Sequence, residues 1–382
     1  MFRNKKFSGI DFHENYITCA TIKLERGIPV VQGVTKIDFK SPILAGGRVN
    51  QPEDLSEFLE GVLKDGSISK EAHLAIPTQN ILIRKITSLP DIGETELAKL
   101  LQFEIGESIH LPFENPIYDF VKIGSIVPEP IDGDREDGME ELSLDDLAQG
   151  IQQTMEGPKS EILLFATSQA LSQDLADVCH EAGLKPLTAE IRGLALQRLL
   201  SYAQPRWLTQ TEMIIDVSKN SLDIHIFKDG MIVFSRMMSI HTNDMVSNVS
   251  PTRPSPDDDV LLFEEDIPVF RETQSQIAAT IEEVMDLNQE SYVNEIALEI
   301  EKAQNFFRYS LNERDSEFKR IIVTGEKTDG IFQPLKERLG TEEIVRIDYR
   351  SILNHDFTNE DLLDSCSVAI GLAMRANDIQ KK

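Results

Sequence analysis

The sequence lacks the features that mark a secreted or membrane-spanning chain. It has only three cysteines, Cys19, Cys179 and Cys366, which lie far apart in the chain. Their odd number and wide spacing exclude a disulfide framework or a CxxC motif and fit a reducing compartment. No run approaches the ~18 apolar residues of a membrane-spanning helix. The N-terminal residues also lack the apolar core of a signal peptide. We therefore expect a soluble, cytoplasmic chain.

Basic residues are also scarce. Lys and Arg number 38 against 65 Asp and Glu, which gives a formal net charge of −27. Such a surface repels phosphate backbones and anionic lipid headgroups. We therefore expect neither nucleic-acid binding nor direct insertion into a membrane. The seven histidines form no HExxH or HxH cluster, so no metal site is predicted.

The remaining composition is typical of a globular protein. Hydrophobic residues make up 41% and charged residues 27% of a chain long enough for two or three domains. Two segments depart from this average. Residues 126–160 are strongly acidic, and residues 251–268 are rich in Pro and Asp. Such segments bury too little apolar surface to offset the entropy of ordering, so we predict solvated loops there.

Periodicity in the first half of the chain predicts a mixed α/β unit followed by a second unit that begins at Asp91. Strands are expected over 7–22 and 30–39, then a helix after Pro52, then strands over 72–77 and 81–90. The second unit opens with a helix over 94–109 and continues with the segment HLPF at 110–113. Cys179 and His180 are adjacent in a later helix, which favours a core cysteine over a nucleophile.

The second half begins with a hairpin over 212–240, in which Lys-Asp-Gly marks a tight turn. Two long helices are expected next, the first around Ile277 and Ile281, the second from Val293 to Phe307. A strand at 321–325 and a last helix, SVAIGLAMRA, complete the pattern. A strand–turn–strand unit thus occurs both at residue 8 and at residue 212.

This duplication and several collinear motifs resemble one family. The motifs are FEIGESIHLPF followed by YDF, ILLFATSQALSQDLADVCHEAGLKPLTAEIRGLALQRLL, DVSKNSLDIHIFKDGMIVFSR, EIEKAQNFFRY, IIVTGE and AIGLAMR. In this order they resemble the PilM family of type IV pilus assembly proteins, which is related to the cell-division protein FtsA. The resemblance covers nearly the whole chain apart from the two acidic segments.

The resemblance implies an actin-like α/β fold with two lobes, each a mixed sheet with helices. It also implies an inserted α+β subdomain in the first lobe. The implied first lobe comprises 1–88, with 189–208 and 364–382 returning to it. The inserted subdomain comprises 89–188 and includes the acidic loop 126–160. The core of the second lobe comprises 209–245 and 312–363, and a helical subdomain of this lobe comprises 246–311.

The family also implies a cleft for Mg-ATP, the one cofactor this fold suggests. Backbone N–H groups of the two hairpin turns would hold the phosphates, and glycine permits their close approach. The first turn keeps Asp11, which would hold the water shell of Mg²⁺. However, it has His13 in place of glycine and Glu14 facing the phosphates. The second turn keeps Asp216 but has Ser218 in place of glycine, while Lys219 or Asn220 could still meet phosphate.

The adenosine contacts implied by the family are Glu299, Lys302 and Gly325, although Glu326 replaces a second glycine. Each residue also has a simpler interpretation. Asp11 and Asp216 could satisfy N–H groups of their own turns, and Glu299 and Lys302 could form a surface ion pair. The lost glycines predict a degenerate site that binds ATP weakly and does not catalyse its hydrolysis.

The implied function is a cytoplasmic scaffold at the inner face of the membrane, within a pilus assembly platform. Its partner would be the cytoplasmic N-terminal tail of a PilN-like membrane protein, bound near the junction of the inserted subdomain with the first lobe. Leu111, Pro112 and Phe113 are the candidate apolar notch for this tail. The alternative is that HLPF only packs the subdomain against the first lobe.

Three other functions remain open at this point. The first is an active ATPase whose nucleotide state switches the lobes. The second is a sugar or acid kinase of the same superfamily, to which the inserted subdomain with HLPF is foreign. The third is a cytoplasmic component of a type II secretion system, which would continue into a membrane helix that we do not find after Arg375.

Overall fold

The computed structural model describes residues 6–127, 157–240, 270–314, 316–340 and 343–375, with only the backbone described over 270–288. Most of the acidic segment 126–160 and all of 251–268 lie outside these residues, so both loop predictions stay predictions. The chain divides into two compact units. The first comprises Met1–Gln210, His225–Arg236 and Asp348–Lys382, and the second Thr211–Ile224 and Met237–Ile347.

The described residues form fifteen strands, seven α-helices and three short 3₁₀ helices, Thr78–Asn80, Arg350–Ile352 and Glu360–Leu362. The strands are β1 Lys6–Phe12, β2 Tyr16–Glu25, β3 Ile28–Asp38, β4 Leu44–Ala45, β5 Arg48–Val49, β6 Glu71–Ile76, β7 Ile81–Ile86, β8 Pro116–Ile126, β9 Lys159–Ser168, β10 Lys185–Ile191, β11 Glu212–Val217, β12 Ser221–Lys228, β13 Met231–Ser239, β14 Arg320–Thr324 and β15 Glu343–Arg346. The helices are α1 Pro52–Lys64, α2 Glu94–Glu104, α3 Gln169–Glu181, α4 Arg192–Ala203, α5 Phe270–Ser310, α6 Thr328–Leu339 and α7 Ser367–Ala373.

The main sheet of the first unit has the strand order β10-β6-β1-β2-β3. β1 and β2 form the predicted antiparallel hairpin, and β6 runs parallel to both β1 and β10. Apolar side chains of this sheet pack with those of α1 and α3, because both helices carry apolar residues at helical spacing. Cys179 lies fully buried in this core, so its prediction as a core residue is confirmed.

A smaller antiparallel sheet with the order β7-β9-β8 packs against α2. Leu97 and Leu101 of the helix are fully buried in this second core. The prediction that α2 would continue to residue 109 is wrong. The helix ends at Glu104 because Ile105 is extended and Gly106 adopts a φ of 100°, a conformation that glycine tolerates and a helix does not.

Helix α7 joins the first unit through contacts between backbones. A Cβ atom at Gly9 of β1 would overlap the carbonyl oxygen of Ala369, and one at Gly371 would overlap the carbonyl oxygen of Ala195 in α4. Glycine is therefore required on both sides of α7. The resulting packing places the β1–β2 turn and the start of α4 in the same region of the unit.

The second five-stranded sheet has the order β13-β12-β11-β14-β15, with β11, β14 and β15 parallel. The Lys-Asp-Gly turn is confirmed, since Asp229 and Gly230 have φ angles of 50° and 77°. The prediction of two long helices after this sheet is wrong. α5 is one helix from Phe270 to Ser310, because that stretch contains neither Gly nor Pro to end it. None of the described helices has the length and apolarity needed to cross a membrane.

Candidate functional site

The β1–β2 turn is filled by its own side chains. The N–H of His13 donates to the carbonyl oxygen of Tyr16 at 2.9 Å. The two rings are stacked, with centroids 3.8 Å apart and planes inclined by 16°. The ammonium of Lys36 lies 4.7 Å from the centre of the Tyr16 ring, within the range of a cation–π interaction. An imidazole thus stands where the family would have glycine.

Asp11 is bound from the start of α4. The guanidinium of Arg192 donates to Oδ2 of Asp11 through Nη2 at 2.8 Å and through Nε at 3.2 Å. Nε2 of His13 lies 2.9 Å from the same oxygen. Burial alone would raise the pKa of Asp11, but the charges and hydrogen bonds of Arg192 and His13 outweigh burial. The pKa of Asp11 therefore falls from 3.8 to about 2.

This arrangement does not fit a hydrated magnesium ion at Asp11. Oδ2 is already engaged by Arg192 and His13. Oδ1 has no hydrogen-bond partner among the described residues, yet it exposes almost no surface to solvent. Mg²⁺ keeps several of its waters when it binds a carboxylate, so it needs an accessible oxygen. The two sequence interpretations of Asp11, metal-holding and turn-capping, both omitted Arg192.

The second turn, between β11 and β12, is approached closely by Gly325, which follows β14. Gly325, at a φ of 103°, lies so near the turn that a Cβ atom would overlap Oδ1 of Asp216 and the backbone of Val217. The N–H of Ser218 donates to the carbonyl oxygen of Ser221 at 2.9 Å, and the Tyr292 hydroxyl donates to the carbonyl oxygen of Ser218 at 2.5 Å. The structure therefore brings Asp216 and Gly325 together; their contacts with nucleotide stay predictions.

The other candidate nucleotide residues of the second unit lie in the turn itself or on α5. Lys219 and Asn220 are exposed. On α5, the ammonium of Lys302 donates to Glu299 at 2.7 Å, with 57% of the lysine side chain and 15% of the glutamate side chain exposed. This i, i+3 pair is the simpler of the two arrangements expected for these residues. Their contacts with adenosine stay predictions.

A groove of about 600 Å³ lies in the first unit, between the β7-β9-β8 sheet and the β10–α4 segment. Most of its lining is apolar. The apolar side chains are Ile76, Ile81, Ile117, Val121, Leu163, Phe165, Ala166, Ala189, Ile191, Leu194, Met231 and Ile232. Both β8 and β10 are edge strands of their sheets within the described chain. The groove therefore combines an apolar lining with strands that pair on one side only.

The polar side chains at this groove are mostly neutralised by one another. Arg198 holds Glu190 with two hydrogen bonds, of 2.5 Å and 2.9 Å, and Arg375 binds the same carboxylate. Gln197 donates to the carbonyl oxygen of Gly230. Asp119 is exposed on β8. The N–H of Phe120 donates to Oδ1 of Asp119 at 2.8 Å. A ligand of this groove would thus meet a largely apolar surface with an exposed carboxylate at its β8 side.

The candidate notch Leu111, Pro112 and Phe113 lies elsewhere. Leu111 packs against the core beneath α2, together with Phe120 of β8. Pro112 is exposed and Phe113 is half-buried, and none of the three lines the groove. The groove residues of β8 were missed, although the sequence carried a signal for them. The segment IYDFVKI is apolar on both faces, and only one face can pack against α2.

Comparison with known proteins relates this fold to solved structures. No family model and no curated protein matches the sequence. The PilM-PilN type IV pilus biogenesis complex is similar with a TM-score of 0.68 and 14% identity, covering 98% of this chain and 99% of that chain. The ethanolamine utilization protein EutJ from Carboxydothermus hydrogenoformans gives a TM-score of 0.48 and 11% identity, covering 98% and 90%. The fold assignment rests on the first similarity. The chain therefore has the actin-like α/β fold in its PilM-type form, which confirms the fold that the sequence motifs predicted.

Proposed function

We propose that this chain is a cytoplasmic scaffold of a type IV pilus or related assembly machine. It acts at the inner face of the membrane by binding the short N-terminal tail of a PilN-like membrane protein. The observation that carries this proposal is the apolar groove at the junction of the small sheet with β10 and α4. The similarity in fold to a PilM-PilN complex supports the same class of partner.

The chemistry of the groove defines the tail that fits it. An apolar lining favours a peptide with several aliphatic or aromatic side chains. The free edges of β8 and β10 favour an extended peptide, because main-chain hydrogen bonds to an edge strand add affinity while side-chain pockets add specificity. The net charge of −27 attracts the Lys and Arg residues that are enriched on the cytoplasmic side of membrane helices.

The rival function, an ATP-driven switch, is disfavoured by the first turn. Such a switch needs Asp11 to hold the metal of a bound nucleotide, and this carboxylate is engaged by Arg192 instead. A scaffold has no such requirement. Tail binding is therefore consistent with both the apolar groove and the occupied Asp11, whereas nucleotide turnover is not consistent with the occupied Asp11.

The test is a titration of the full chain with a labelled peptide. The peptide is the cytoplasmic N-terminal segment of a PilN-like membrane protein. Val121→Arg places a charge inside the groove at a side chain that is 48% exposed, so the strand tolerates it. We expect affinity to fall at least about 30-fold, the loss typical of an interface residue worth about 2 kcal/mol.

The matched control is Ile126→Arg. Ile126 lies on the same strand and is 43% exposed, but it does not line the groove, so its variant should bind the tail as the parent does. Equal affinity of the parent and Val121→Arg would contradict the proposed site. A loss on Phe113→Arg instead would locate the tail at the HLPF segment. Deletion of 89–188 is a poorer test, since it removes the start of β10 and the partner of β7.

A further inference from the structure

The ion pair between Asp11 and Arg192 is buried on both sides. Only 1% of the aspartate side chain and 6% of the arginine side chain are exposed. Two charges removed from water are costly unless each is compensated by close contacts. The pair joins residues that are 181 positions apart in sequence. The position of the pair, at the β1–β2 turn, indicates its structural role.

We propose that Arg192 is the permanent positive charge that balances Asp11 in this turn. It takes the role that a hydrated metal ion would have beside this carboxylate in the actin-like fold. The guanidinium compensates Asp11 and holds the turn closed, so the first unit takes up its structure without metal or nucleotide. This inference does not depend on the tail, because none of its residues lines the groove.

The charge balance of the turn supports this assignment. Asp11 contributes one negative charge and Arg192 one positive charge, so the pair is neutral. Two nitrogens of the guanidinium donate to Oδ2, Nη2 at 2.8 Å and Nε at 3.2 Å. A divalent cation at the same carboxylate would lie within a few ångströms of the guanidinium, where like charges repel strongly in a poorly solvated site. Metal and Arg192 are therefore mutually exclusive partners of Asp11.

The position of His13 supports it further. Its ring fills the turn by stacking on Tyr16 and approaches both members of the pair, with Nε2 2.9 Å from Oδ2 of Asp11 and 2.8 Å from Nη2 of Arg192. This nitrogen can donate to the carboxylate or accept from the guanidinium, and either bond stabilises the pair. A phosphate would have to displace this ring to reach the backbone of the turn.

The test measures thermal unfolding of the full chain through the fluorescence of Trp207, the single tryptophan, which lies in the first unit. Millimolar Mg²⁺, alone and then with ATP, should leave the midpoint of the parent unchanged. Arg192→Met should lower the midpoint by several degrees, because it leaves a buried carboxylate without its cation. Mg²⁺ should then raise the midpoint of this variant, since the substitution removes the guanidinium charge that repels a cation and leaves Oδ2 in contact with His13 alone.

Two further variants complete the experiment. In Asp11→Asn/Arg192→Met both charges are gone, so its midpoint should lie above that of Arg192→Met. Arg350→Met is the matched control, because Arg350 pairs with Asp348 on the exposed surface and should leave the midpoint unchanged. A rise in the parent midpoint with Mg-ATP would overturn the inference. So would a failure of Mg²⁺ to act on Arg192→Met, or a double variant no more stable than the single one.

Discussion

Acid should weaken the first unit in a way that can be assigned to one carboxyl group. Asp11 is fully buried, and its pKa is lowered from 3.8 to about 2 because Arg192 and His13 outweigh the effect of burial. A group with a depressed folded pKa stabilises the protein above its unfolded pKa. That stabilisation is lost as the pH falls through the folded pKa. The window for Asp11 therefore runs from about pH 4 down to about pH 2.

The magnitude follows from the two pKa values. At 1.36 kcal/mol for each pH unit, the fall from 3.8 to about 2 corresponds to roughly 2–3 kcal/mol of stability at neutral pH. Near pH 3 the unfolded carboxyl is mostly protonated while the folded one is still ionised, so about 1 kcal/mol of this is lost. Other aspartates with lowered pKa values, such as Asp91 and Asp174, titrate in the same direction. A comparison is therefore needed to isolate Asp11.

The comparison is between the parent and Asp11→Asn/Arg192→Met, which lacks the titrating pair but keeps the other carboxylates. Urea unfolding followed by Trp207 fluorescence gives the stability of the first unit at neutral pH and near pH 3. The parent should lose about 1 kcal/mol more than the variant between these two conditions. Equal losses in the two proteins would refute the assignment of a depressed pKa to Asp11.

Two further predictions concern packing. Gly371→Ala should lower the free energy of unfolding by about 1–3 kcal/mol or more, because its Cβ would overlap the Ala195 carbonyl. Gly33→Ala is the control, since a Cβ there meets nothing within 4 Å, and urea unfolding of both variants checks the difference. The three buried cysteines should not react with a thiol reagent at mildly alkaline pH until the chain is unfolded. Burial raises the pKa of Cys179 to about 12, which leaves little thiolate. Rapid labelling of the native chain would contradict this.

The elements with strong local signals were predictable from the sequence. The Lys-Asp-Gly turn and the last helix follow from turn chemistry and helical spacing. The single strand that alternation predicted over 7–22 is wrong: residues 13–15 separate β1 from β2, which is the strand–turn–strand unit that the duplication indicated. Errors arose where a local pattern was ambiguous. Strand β10 was missed because its residues Lys185–Ile191 follow a helix end and alternate weakly, and only its pairing with β6 makes it a strand.

The functional sites were harder to predict, because each depends on contacts between distant segments. Arg192 lies at the start of an apolar helix, and nothing local identifies Asp11 as its partner. A buried arginine demands an anion, but the sequence does not say which one. The groove likewise joins β8, β10 and the Gly230 turn, whose approach is a property of the tertiary fold.

The packing of α7 has a consequence for how this protein is made. The first unit draws its sheet from the N-terminal residues and its closing helix from Ser367–Ala373, with the second unit encoded between them. Gly9 and Gly371 let α7 pack with its backbone against the backbones of its neighbours. A Cβ atom at either position would overlap the facing carbonyl, so no other residue fits there. At about 5–20 residues per second, a ribosome takes roughly 10–30 s to travel from the end of α4 to α7. During that interval the nascent first unit lacks its closing helix, so the surface around Gly9 that α7 covers stays exposed until the last residues are made.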